Sequence, residues 1–333
     1  MSTTASYKAF QVGKDDSGEF YRDTREVTAE PLADGEVRVR VAWSSINYKD
    51  GLASTAEGRV ARISPLIPGI DLAGEVVDPG SSGLTVGDQV LAHGYELGVA
   101  RHGGFSQYAT VPAGWVVPRP AALDARHAMV TGTAGFTAAL SVAALRDGGI
   151  SPDLGPVLVT GATGGVGSFA VTLLSNLGYD VVASTGRRDR EDWLKSLGAG
   201  TVIDRLPADA KPLGKETWAG VVDSVGGSTL HAALASTCYG GIVAASGNTG
   251  GPKLGTTVFP FILRGVRLHG IDSVACDIDR RRTIWHWIAD TMHAQQFDAL
   301  AGRVVGLSEL PEALDAVLAG RALGRTLVQL ERV

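Results

Sequence analysis

The stretch from residue 156 to 187, PVLVTGATGGVGSFAVTLLSNLGYDVVASTGR, constrains the fold more than any other part of this chain. A short apolar run at 157–160 passes into a glycine-rich turn, Gly161-Ala162-Thr163-Gly164-Gly165-Val166-Gly167. Val166, Phe169, Ala170, Leu173, Leu174 and Leu177 then recur at spacings of three and four, which predicts a helix that stops at Gly178. A second buried strand is expected at 179–183. Strand, glycine turn, helix and strand in that order make a dinucleotide-binding unit. The turn must be tight, backbone N–H groups must approach a pyrophosphate, and the helix N-terminus must face the negative charge. A glycine string alone is a weak signal, and its place between strand and helix is what gives it force.

The end of the second strand selects the cofactor. NAD binders place an Asp or Glu about 20 residues past the glycines to hold the ribose hydroxyls. Here the chain runs Ser184-Thr185-Gly186-Arg187-Arg188, with no acid before Asp189. A carboxylate would repel a 2′-phosphate, whereas Arg187 can pair with it in a fork and Ser184 or Thr185 can donate to it. NADPH is therefore expected over NADH.

A chain of 333 residues has room for two domains, and 44% hydrophobic content supports a full core in each. The net charge of −5 comes from interspersed signs, which gives no reason to expect nucleic acid or a membrane surface as partner. The start, MSTTASYKAFQV, has neither the charged nor the apolar region of a signal peptide, and no apolar run approaches the ~20 residues of a membrane span. Cys238 and Cys276 lie far apart, which excludes a disulfide framework and a cysteine-built zinc site. A cytoplasmic enzyme is the simplest expectation.

Ahead of the glycine turn the pattern is β-rich, with short strands expected at 7–12, 37–42, 72–77, 89–92 and 106–111, separated by Gly, Pro and Asp turns. Long helical patterns are missing there, so an antiparallel, barrel-like domain fits better than a parallel array. A small-residue-rich helix at 127–145 leads into the glycine turn. Beyond it, strands at 201–203, 219–222, 241–245 and 266–271 alternate with helices, giving six strands in doubly wound order. A helix at 311–318 and a strand at 324–330 close the chain, and that strand suits the first domain's sheet. The apolar segment 266–271 would be an exposed edge unless a second copy covered it, so a homodimer is expected.

These segments carry a resemblance that runs essentially the whole length. The chain is similar to the zinc-free, quinone-oxidoreductase branch of the medium-chain dehydrogenase/reductases, and most of all to its acryloyl-CoA reductase (YhdH-type) family. The residues behind it are Ser45-Ile46-Asn47-Tyr48-Lys49-Asp50, Pro68-Gly69-Ile70-Asp71-Leu72-Ala73-Gly74, Gly87-Asp88-Gln89-Val90 and Gly103-Gly104-Phe105-Ser106-Gln107-Tyr108. The glycine turn, Phe259-Pro260-Phe261-Ile262-Leu263-Arg264-Gly265 and Gly324-Arg325-Thr326-Leu327-Val328 complete the set. The resemblance implies an α/β chain: a GroES-like antiparallel β-barrel catalytic domain at 1–125 and 299–333, and a doubly wound, six-stranded parallel Rossmann domain binding NADP at 126–298. The zinc alcohol dehydrogenases carry a Cys near the position of Asn47 and Gly-His-Glu where this chain has Gly69-Ile70-Asp71. Isoleucine cannot ligate a metal and asparagine is a poor zinc ligand, so no zinc is expected.

Without a metal to polarise a carbonyl, reduction needs an acceptor that is already activated, such as a C=C bond conjugated to a thioester, or a quinone. Hydride would go to the β carbon, and the enolate left behind must be stabilised and protonated. The resemblance places Tyr48 beside the nicotinamide, as proton donor or as aromatic wall, and Asn47 as an N–H donor to the substrate oxygen. Asp50 and Asp71 read as loop ties. For the cofactor it implies Thr163, Gly164, Gly165, Val166 and Gly167 at the pyrophosphate, Ser184, Thr185, Gly186 and Arg187 at the adenosine phosphate, and Arg205 as a second phosphate contact or an adenine contact. Asn248, Ile262, Ser273 and Arg325 fall toward the nicotinamide. A CoA substrate would bring phosphates, for which Arg59, Arg62, Arg101 and His102 are candidates, while Arg280-Arg281-Arg282 reads as a solvated helix face. The leading expectation is NADPH-dependent reduction of acrylyl-CoA to propionyl-CoA. An NADPH:quinone oxidoreductase is the alternative, and a non-enzymatic NADPH-binding protein is the second alternative.

Overall fold

Val37, Val39 and Val41 alternate along the strand Glu36–Ile46 and are all buried, so one face of this strand must cover a core. In the computed structural model, which describes residues 6–330, that strand is the hub of the first unit. It pairs antiparallel with Asp71–Asp78, Tyr108–Pro112 and Arg325–Gln329 in a seven-stranded sheet. Gln89–His93 and Val117–Pro118 extend the sheet on one side, and Ala301–Val305 lies parallel to Arg325–Gln329 on the other. The expected antiparallel, GroES-like domain and its closing C-terminal strand are both present. A second antiparallel pair, Ser6–Lys14 with Phe20–Thr28, completes the set of strands. The strand Phe20–Thr28, FYRDTREVT, is polar on both faces and largely outward-facing, so apolar alternation could not reveal it.

In the second unit six parallel strands run in the order Thr201–Ile203, Val181–Ser184, Val157–Val159, Trp218–Asp223, Thr237–Ala245, Arg267–Gly270. The order reverses beside Val157–Val159, which puts a switch point at the strand that feeds the glycine turn. The helices Gly165–Asn176 and Gly227–Ala235 follow the two central strands, and their apolar faces are buried. The helix Ala294–Leu300 returns to this unit, where Phe297 packs on Phe169 with ring centroids 6.3 Å apart.

The division between the units differs from the expected boundaries. The first unit takes the chain through Thr133, Val274–Asp290 and the chain from Ala301; the second takes Ala134–Ser273 and Thr291–Leu300. The helix Ile278–Thr291 explains most of the difference. Its Arg281, expected on a solvated face, is fully buried and donates through Nη1 to the His93 carbonyl at 2.9 Å and through Nη2 to the Val274 carbonyl at 3.2 Å. Trp285, also fully buried, donates its indole N–H to His93 Nε2 at 2.9 Å. Burial and the neighbouring Arg281 push the His93 imidazole well below its usual range, so this histidine is a neutral core acceptor.

The helix Ala125–Asp147 also corrects an expectation. It is long and apolar enough to cross a membrane by length and composition, although 83% of its apolar window is buried inside the protein. Gly132, at φ 48° and ψ −159°, breaks it into two pieces. A core helix of a globular unit passes the same length test as a membrane span, and burial separates the two.

Candidate active site

The sequence Ser44-Ser45-Ile46-Asn47 ends the central strand of the first unit with polar side chains on both faces, and all of them are buried. Buried polar groups must find partners, and these find Asp71. The Asp71 carboxylate, fully buried, accepts from Ser45 Oγ at 2.6 Å, Asn47 Nδ2 at 2.7 Å and the Thr133 hydroxyl at 2.5 Å. The Thr133 backbone N–H adds a donor at 3.0 Å, and Arg325 Nη2 lies 3.4 Å away. Arg325 is itself 3% exposed and donates to Ser45 Oγ, Asn47 Oδ1 and the carbonyls of Ile46 and Val130. Burial lowers its pKa, and the charges of Asp71 and Asp50 work in the opposite direction. The strained Gly132 is required here, because a Cβ at that position would stand 2.4 Å from Asp71 Oδ2 and 2.8 Å from Arg325 Nη2.

Tyr48 opens the short helix Tyr48–Ala53 and is 38% exposed, the outward-facing side chain of this cluster. Asn47 occupies the N-cap in a capping box with Asp50, and its amide is also bonded to Asp71 and Arg325. That orientation commits Asn47 inward rather than toward a substrate oxygen. Asp50 supplies the other half of the cap, accepting the Asn47 N–H at 2.8 Å, and its second oxygen accepts from Gly69 N at 3.1 Å and Ile70 N at 2.9 Å. Three N–H donors favour the carboxylate, but burial and the charge of Asp71 outweigh them, and the Asp50 pKa rises to about 7. Reading Asp50 as a loop tie agrees with these bonds. Asp71, read in the same way, does tie segments together, joining Ser45 and Asn47 to Thr133 and Arg325, and Ser45 and Thr133 were missed as site residues. Polar serines where apolar alternation should continue were the available signal.

The three arginines proposed for a CoA substrate are placed differently from one another. Arg59 and Arg62 are exposed, and Arg62 is 3.9 Å from Glu96. Arg101 is paired with Glu36 at 2.5 Å and lies over the Trp115 ring. Its charge is already answered. His102 Nδ1 accepts from the backbone of Ile67 and is part of the loop's own structure.

In the second unit, Gly161 adopts φ 58°, and Gly167 sits where a Cβ would be 2.4 Å from the Gly161 carbonyl. Gly164 is the N-cap of the 12-residue helix Gly165–Asn176 and has no side chain to cap it, so the leading N–H groups of Gly165, Val166 and Gly167 are presented to an anion. The neighbouring strand end is tied to this turn: Ala162 N donates to the Ser184 carbonyl at 3.1 Å, and Thr163 Oγ1 lies 3.2 Å from Thr185 Oγ1. A Cβ on Gly186 would meet the Arg205 guanidinium at 2.4 Å, which places Arg205 directly over the Gly186-Arg187 turn. Thr185 Oγ1 accepts the Arg187 N–H at 3.0 Å and fixes the backbone of that turn. Asn248 is exposed on the loop after Thr237–Ala245, and Ser273 is buried. Ile262 is 67% exposed on the helix Phe259–Arg264.

The alcohol dehydrogenase GroES-like domain family matches residues 33–121, and the zinc-binding dehydrogenase family matches residues 165–290. Among curated relatives, a putative quinone oxidoreductase, YhfP of Bacillus subtilis, is 50% identical over 92% of this chain and 94% of its own length. The probable acrylyl-CoA reductase AcuI of Escherichia coli is 47% identical over 90% of this chain and 92% of its own. The yhdH oxidoreductase of Salmonella enterica, solved in complex with NADP, superposes with a TM-score of 0.93 at 43% identity, covering 97% of this chain and 100% of that one. YhfP itself, solved with NAD bound, superposes with a TM-score of 0.94 at 48% identity, covering 98% of this chain and 100% of that one.

The chain belongs to the YhdH-type medium-chain dehydrogenase/reductases.

Within this family of oxidoreductases, the Asn47 amide of this chain is bonded to Asp71, and the Ile70 side chain has no atom that could ligate a metal. Among the described residues no three His, Cys, Asp or Glu side chains are grouped so as to hold a metal ion.

Proposed function

We propose that this protein reduces an activated C=C bond with NADPH, with acrylyl-CoA to propionyl-CoA as the leading reaction. The observation that carries the cofactor choice is the turn Ser184-Thr185-Gly186-Arg187, free of acid and covered by Arg205. The Arg187 and Arg205 guanidinium groups suit a 2′-phosphate, while the Ser184 hydroxyl is committed to the Asp204 carbonyl, and the uncapped helix at Gly164 suits a pyrophosphate. When bound, NADPH supplies a hydride to the β carbon of the acceptor. The enolate takes its proton at the α carbon from the Tyr48 hydroxyl, which solvent then restores. Asn47, Asp71 and Arg325 act beneath Tyr48 as positioning residues for the start of its helix. The acceptor's phosphates are met by Arg59 and Arg62; Arg101, paired with Glu36, is the weakest of the three candidates. The name AcuI supports the thioester, and the name YhfP favours a quinone as the second reading. The protein works in the cytoplasm as a homodimer.

NADPH oxidation measured with acrylyl-CoA beside a benzoquinone, as kcat/KM, tests this. Preference for the thioester is expected, and preference for the quinone overturns the substrate assignment. In the same assay Tyr48→Phe is expected to lower kcat about a hundredfold, the scale of a lost general acid. Unchanged turnover would leave Tyr48 as a wall of the pocket.

A further inference from the structure

Asp223 ends the strand Trp218–Asp223, is fully buried, and has no part in the site described above. One carboxylate oxygen accepts the Thr160 hydroxyl at 2.6 Å, and the other accepts the Gly226 N–H at 2.8 Å. Thr160 is also fully buried and is the residue immediately before Gly161, so this bond fixes the root of the glycine turn. The two strands meet at this level: Thr160 N donates to the Val222 carbonyl at 3.0 Å, and Ser224 Oγ donates to the Thr160 carbonyl at 3.1 Å. Gly161 is held close to the same turn, since a Cβ there would lie 2.7 Å from Ser224 Oγ.

Gly226, at φ 74°, joins Asp223 to a third segment. A Cβ at Gly226 would meet the Gly247 carbonyl at 2.8 Å and Asn248 Cα at 3.2 Å, and a Cβ at Gly247 would stand 2.0 Å from the Ser224 carbonyl. The backbones of 224–227 and 247–251 are therefore in direct contact, and Gly250 N donates to the Val225 carbonyl at 2.8 Å. Burial raises the Asp223 pKa against the bonds from Thr160, Gly226 and Val225 that favour the charged form. A buried carboxyl that costs desolvation and joins three loops of one site has a purpose beyond filling space.

We propose that Asp223, through Thr160 and Gly226, is a positioning residue that sets the distance between the glycine turn and the Asn248 loop, and so aligns the pyrophosphate and nicotinamide parts of the cofactor. This rests on the reading of the second unit as the dinucleotide site. The adenosine-phosphate turn at 184–187 has further bonds of its own, from the Ser184 hydroxyl to the Asp204 carbonyl and from the Arg187 N–H to Thr185 Oγ1.

The test compares NADPH with adenosine 2′-monophosphate, which carries the 2′-phosphate but no part of the pyrophosphate, by equilibrium binding to wild type, Asp223→Ala, Asp223→Asn and Thr160→Val. Losing one charge-assisted bond is worth about a tenfold change in Kd. Asp223→Ala is expected to weaken NADPH by about tenfold or more and adenosine 2′-monophosphate by less than about twofold. Asp223→Asn, which keeps one acceptor oxygen, recovers part of the loss. Thr160→Val, nearly isosteric, reproduces the loss of NADPH affinity if Asp223→Ala fails to fold. Equal weakening of both ligands, or none in a folded variant, overturns the proposal. A wild type that binds neither NADPH nor NADH overturns the cofactor reading and this proposal with it.

Discussion

Arg187 and Arg325 show how differently one residue type is used in this chain. Arg187 sits on a turn whose backbone is fixed by Thr185, and we propose that its side chain meets the 2′-phosphate of the cofactor. Arg325 is buried and answers a charge the protein brings itself, on Asp71. The first was expected from the sequence because it follows a glycine motif at a known interval. The role of Arg325 was not, because its partners Ser45, Asp71 and Val130 are remote in sequence. If Arg187 holds the 2′-phosphate, Arg187→Ala raises the KM for NADPH about tenfold to a hundredfold, the range expected from one or two charge-assisted bonds. The KM for NADH, which lacks that phosphate, changes less than about twofold in the same comparison. Equal effects in steady-state kinetics would remove the assignment.

Among elements, the short helix Tyr48–Ala53 is the most informative. Six residues cannot hold a helix by backbone bonds alone, and this one depends on Asp50 joining its N-terminus to Gly69 and Ile70. The Asp50 pKa of about 7 gives that anchor a pH dependence. In the unfolded chain the carboxyl titrates near 4, so between about pH 4 and 7 the native state holds the extra proton. Stability contributed by this group therefore falls as pH rises through that window and levels off above about 7. Urea denaturation of wild type and Asp50→Asn should show the wild type losing ground across the window, whereas parallel curves would mean an ordinary carboxylate. The helix Ile278–Thr291 carries the opposite lesson. Three consecutive arginines read as a solvated face, but Arg281 points inward because His93 and the carbonyl of Val274 are there to receive it.

For the whole molecule, the outer strand of the parallel sheet bears on assembly. Arg267–Gly270 pairs with Thr237–Ala245 and is exposed at every position. It is less apolar than expected from sequence, and the adjoining exposed Val258, Phe259, Ile262 and Leu263 supply most of the apolar surface. If a second copy covers this edge, sedimentation velocity at micromolar concentration gives a dimer, and Leu263→Glu shifts it toward monomer without loss of helix content; a wild-type monomer ends the idea. The sequence by itself determined the alternation of elements and the parallel unit with its glycine turn, because each rests on residues within about 30 positions of one another. Only the tertiary structure decided where Arg281 lies, which carboxyls share a buried guanidinium, and that Asp223 holds the glycine turn. Those outcomes depend on partners from distant strands, and on burial, which changes the energy of a charge far more than its neighbours in sequence can.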